Sequence, residues 1–130
     1  MNFNNDNLTT QQEVITQGHT RLTQEELIAI SSNKTITGHY YYNNQWRRYM
    51  SYTNPNGEIE GINDLGTFEK GRWSVNTDGL YSVNWARYWE NWSAYAYRVG
   101  TDIKFYDTTT QKWLTTFNNI VKGELPLEVV

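Results

Sequence analysis

Few residues in this chain combine the type and spacing that chemistry demands. There are two histidines, His19 in a polar stretch and His39 inside a run of tyrosines. A metal site needs several converging ligands, and no carboxylates stand at recognisable ligand spacing from His39. The chain has no cysteine, which excludes thiolate ligands, disulfides and C-x-x-C redox chemistry. Glu58 and Glu60 would share one face of a strand. Paired carboxylates can hydrolyse glycosides, but between Gly57 and Gly61 they read as a solvated strand edge. Asp78 suits an Asx turn, because its loop lacks the other acidic positions of a calcium site. Neither a G-x-S-x-G elbow nor a phosphate-cradling glycine loop occurs. The expectation is a protein that is not an enzyme and takes no cofactor.

What the chain holds in excess is rings: ten Tyr, six Trp and four Phe, 15% of all residues. Two segments carry more of them than an alternating strand can bury. Tyr40-Tyr41-Tyr42 with Trp46, Tyr49 and Tyr52 must place rings on both faces, and so must Trp85 to Trp92. Arg47, Arg48, Arg87 and Arg98 fall among these rings and could stack on them or hold an anion. The candidate binding set is therefore Tyr40, Tyr42, Trp46, Arg48, Trp85, Arg87, Trp89, Trp92 and Arg98. Such a set can form a platform or pocket mouth for a small molecule, a carbohydrate or a protein. The plainer reading is cross-strand ring pairing at the ends of a small barrel, with the arginines serving solubility.

Composition points to the elements that must position these residues. Rings, Thr and Asn dominate and only 19% of residues are charged, against both a disordered chain and a helical bundle. One core's worth of chain is present at 130 residues. Net charge is −3, without the clustered positive excess of a nucleic-acid binder. The longest apolar run is far short of the ~20 residues needed to span a bilayer. Met1 to Thr20 has neither the basic start nor the apolar core of a secretory signal.

Residues 1–20 read as a flexible polar arm, 21–124 as one β-barrel-like domain and 125–130 as a tail. Thr23-Gln24-Glu25-Glu26 is a capping box, with Leu22 and Leu27 placed to staple it, so a short helix begins there and ends at Ser31-Ser32-Asn33. From Lys34 the period becomes two, and turn signals recur about every ten residues. Strands are expected near Ile36–Tyr42, Trp46–Tyr52, Glu58–Ile62, Thr67–Val75, Leu80–Tyr88, Trp92–Val99, Ile103–Asp107 and Lys112–Asn118. Asn43-Asn44, the Asn54–Gly57 and Asn76–Gly79 segments and Gly100-Thr101-Asp102 supply the reversals. Phe68 and Trp73 differ in parity, so a bulge near Gly71 is expected to turn both inward. Trp113 and Phe117 are expected on one face. The fold class is mainly β: an antiparallel up-and-down meander of about eight strands, closed into a barrel or strongly curled, with the helix over one opening.

From about Arg21 to Glu124 the chain resembles the bacterial domain-of-unknown-function family numbered 995. The residues that carry this are Leu22-Thr23 with Glu26-Leu27, Tyr52 with Pro55 and Gly57, Gly71-Arg72-Trp73-Ser74-Val75, Asp78-Gly79, Trp113 with Phe117, and Val121 to Glu124. The resemblance implies a small, often exported β domain with no assigned reaction. Many members carry cysteines after the G-x-W strand; here Tyr81 and the Trp92–Tyr97 strand would replace a bridge by packing. An exported location follows if the resemblance holds and a signal was removed, a cytoplasmic one otherwise. Lipocalin-like and avidin-like barrels offer a weaker analogy; lipocalins place G-x-W on the first strand, and Gly71-Arg72-Trp73 falls on the fourth. The leading expectation is a non-enzymatic binding domain with an aromatic-lined pocket or flank. The alternative is a structural or interaction protein, such as an envelope component or a toxin-associated accessory, without a small-molecule ligand.

Overall fold

A computed structural model describes residues 9–130. Eight strands run in chain order around a closed, wholly antiparallel barrel: β1 Lys34–Tyr42, β2 Gln45–Thr53, β3 Glu58–Asn63, β4 Phe68–Val75, β5 Tyr81–Trp85, β6 Trp92–Val99, β7 Asp102–Asp107 and β8 Trp113–Lys122. β8 returns to pair with β1, so no sheet edge is left unpaired. The turns use the expected chemistry. Asn43 and Asn44 both take positive φ, 51° and 65°, matching the twist of a two-residue hairpin. Gly79 takes φ +83°, and a Cβ there would stand 2.8 Å from the Leu22 carbonyl, so the site admits only glycine.

One end of the barrel is sealed. Helix α2, Gln24–Ser31, starts on the expected capping box: the Thr23 hydroxyl accepts from the Glu26 amide at 3.2 Å, and Glu26 Oε1 accepts from the Thr23 amide at 3.0 Å. The Leu22 amide donates to the Ala96 carbonyl on β6, and Gln24 Nε2 donates to the Val75 carbonyl on β4. The Thr53 hydroxyl of β2 donates to the Ser31 carbonyl. These ties hold Leu22 and Leu27 against Ile36, Ala96 and Ile103, in the lower core.

Three expectations need correction. The arm is structured over much of its length: α1 spans Gln11–Thr16, Thr10 pairs with Lys112, and Val14 is buried against the outer faces of Tyr97 and Tyr106. Its missing signal was a single apolar anchor, too little to show periodicity; the part in residues 1–8 lies outside the described residues. β4 runs without a bulge, so Phe68 points outward, 47% exposed, while Trp73 is buried. The bulges lie on β8 instead. Tyr106 pairs with Trp113 but Phe105 with Thr115, so Leu114 is the extra residue. That slip moves Trp113 to the outside while Phe117 stays in the core, and the two do not share a face.

Candidate functional site

The end opposite α2 is open. From it a cavity of about 520 Å³ descends between the strands, within the range of small-molecule sites. Parity decides who lines it. The Asn43-Asn44 turn pairs Tyr40 with Arg47 and Tyr42 with Gln45, and directly opposed residues share a face. Tyr40, Tyr42, Arg47 and Tyr49 thus reach the cavity, together with Trp85, Trp89 and Trp92. Trp46 pairs with Tyr41 and Arg48 with His39, on the opposite face, although Tyr41 also borders the cavity.

Of the nine predicted residues, the structure brings together Tyr40, Tyr42, Trp85, Trp89 and Trp92. It leaves out four. Trp46 packs outside on His39 and Trp113, with centroids 4.7 and 4.5 Å away. Arg48, Arg87 and Arg98 are exposed and do not line the cavity. The cation–ring contacts fall to other residues on the outer face: Arg21 over Tyr95 and Lys104 over Trp113.

The chain between β5 and β6 forms part of the mouth, and Glu69 organises it. This carboxylate is buried at 4% exposure and accepts hydrogen bonds from the amides of Arg87, Tyr88 and Trp89, the shortest 2.6 Å. Asn91 Oδ1 accepts from the Trp85 amide at 2.7 Å and ties the other side. So held, Trp85 and Trp89 meet edge to face at 4.6 Å over Gly61, where a Cβ would stand 3.0 Å from both rings. Sequence reading missed Glu69 and Gly61. The usable signal was register: a lone acidic residue at an inward position beside a loop rich in unpaired amides.

Several polar groups of the wall are committed. Arg47 Nε and Nη2 both donate to Asp64 Oδ1, at 2.9 and 2.6 Å, and this bond holds the Asp64 carboxyl below its ordinary range. Burial raises the Tyr40 hydroxyl, against a hydrogen bond with Asn63. Burial also raises Tyr49, whose hydroxyl donates to the Thr116 carbonyl at 3.2 Å. Deeper still, Tyr81 stacks between Trp73 and Trp92 and meets Phe105 and Phe117 edge-on. Burial pushes the Tyr81 hydroxyl up, opposed by nearby Ser31, yet the two oxygens miss hydrogen-bond geometry and both are buried without a partner among the described residues.

Around the mouth Tyr88, Leu65 and Tyr42 stand 82%, 72% and 54% exposed. Among the described residues no group of three or more His, Asp or Glu could hold a metal ion, and no helix is long and apolar enough to cross a membrane. No protein-family model, no curated protein and no solved structure matches the chain.

Proposed function

We propose that the protein is a non-enzymatic binding domain that takes a small apolar molecule into the open end of its barrel. The observation that carries this is the cavity itself: about 520 Å³ lined by Trp85, Trp89, Trp92, Tyr40 and Tyr49, sealed below by α2 and rimmed by exposed rings. A core built only for stability would fill that space, since protein interiors pack at crystal-like density.

Titration with N-phenyl-1-naphthylamine, an uncharged dye that brightens on leaving water, tests it. One saturable site is expected, lost in Trp89→Ala and Trp92→Ala proteins whose circular dichroism is unchanged. The competing reading, a structural or interaction domain, predicts no saturable dye binding and a discrete multimer in native mass spectrometry.

A further inference from the structure

The cavity's unused hydrogen-bonding groups point to the kind of molecule that fits. Trp73 Nε1 donates to the Asn54 carbonyl at 3.0 Å, and Trp113 Nε1 to the Thr116 hydroxyl at 2.6 Å. The indole N–H groups of Trp85, Trp89 and Trp92, all on the cavity wall, donate to no described residue. The Ser51 hydroxyl also lines the cavity, 3% exposed, and makes no hydrogen bond among the described residues. An indole N–H can only donate.

The acceptors show the opposite pattern. Asn63 Oδ1 receives the Leu65 and Thr67 amides, Asn91 Oδ1 the Trp85 amide, and Asp107 Oδ1 the Thr109 and Thr110 amides. The indole donors of the wall therefore stand unused, while the side-chain amide oxygens of Asn63 and Asn91 are occupied. Charge narrows the choice further. Among the described residues the one cation on the wall, Arg47, is paired with Asp64, while Glu90 and Asp107 add negative charge near the mouth. A carboxylate entering here would find no free counter-charge.

Given a barrel that admits small molecules, which this step takes from the reading above, we infer that its occupant is an uncharged, flat ring compound bearing carbonyl-type acceptors. Flatness follows from the composition of the wall: Trp85, Trp89, Trp92, Tyr40 and Tyr49 line the cavity, and ring surfaces pack well against planar rings.

Menadione and 2-methylnaphthalene share a carbon skeleton and differ by two carbonyls, so the pair isolates the acceptor. Binding to the full chain is followed through the indole N–H resonances in ¹⁵N-resolved NMR. Two new hydrogen bonds correspond to menadione binding about tenfold tighter, with indole signals of Trp85, Trp89 or Trp92 moving downfield and those of Trp73 and Trp113 still. Trp92→Phe and Trp89→Phe keep a ring and remove the donor. At least one of them should weaken menadione severalfold more than it weakens 2-methylnaphthalene. Equal affinities for the pair, or tighter binding of dodecanoate or methyl glucoside, overturn the inference while leaving the binding role standing. If N-phenyl-1-naphthylamine and both naphthalene compounds fail to bind, the binding role falls and the inference with it.

Discussion

The two ends of this barrel are built from the same strands and solve different problems. At the sealed end, α2 drops Leu27 into a core of Ile36, Ala96, Ile103 and Phe105, and short side chains pack densely. At the open end the largest side chains crowd the wall yet leave a cavity, and a buried carboxylate holds the loop that carries them. Rings at the sealed end fill space; rings at the open end frame it. Aromatic content alone does not distinguish a core from a site. The closing element does, because an amphipathic helix can plug a barrel end and a polar-pinned loop cannot.

Substitutions at the two ends should therefore have different effects. The largest is expected from Phe105→Ala, which removes a fully buried ring touching Tyr81, Trp92 and Phe117; it should cost about 3–5 kcal/mol in denaturant unfolding. Glu69→Ala strands three amides and should cost about 1–3 kcal/mol. Its effect should be local, with hydrogen exchange rising at Arg87, Tyr88 and Trp89 and not at Val83. Faster exchange throughout the barrel would erase the distinction between the ends. Thr23→Ala removes the cap of the plug and should lower stability by about 1 kcal/mol without changing dye affinity.

The smallest effect concerns pH. Burial lowers the His39 pKa from its ordinary 6.5, against a 2.7 Å hydrogen bond with Asn118. The unfolded chain then binds the proton more readily than the folded one. Stability from this group is complete above 6.5 and declines as pH falls below it. His39→Gln should flatten that slope in thermal melts between neutral and mildly acidic pH, and an unchanged slope would remove His39 from the account.

The meander was legible because its punctuation is chemical. Paired asparagines, Asn-Pro-Asn-Gly and Asp-Gly segments set reversals that no other residues make so easily, and the capping box at Thr23–Glu26 announced α2. What escaped was whatever a one-residue slip decides. The extra Leu114 on β8 sends Trp113 outside, and nothing local marks it. Half of the candidate site was legible for the same reason. Tyr40, Tyr42, Trp85, Trp89 and Trp92 face the cavity, but Trp46 and Arg48 were grouped by nearness in sequence, although the two-residue turn already pairs them with Tyr41 and His39. Glu69 escaped because its role lies in amides eighteen to twenty positions away.

The location of a bound molecule can be read from intermolecular nuclear Overhauser effects between N-phenyl-1-naphthylamine and protein methyl groups. Val83 and Ile59 line the cavity and are nearly inaccessible from outside, at 1% and 6% exposure. Contacts from the dye to both are the predicted result. Contacts confined to Leu65 at the rim, or to the outer methyls of Val121 and Ile15, would show a barrel that admits nothing.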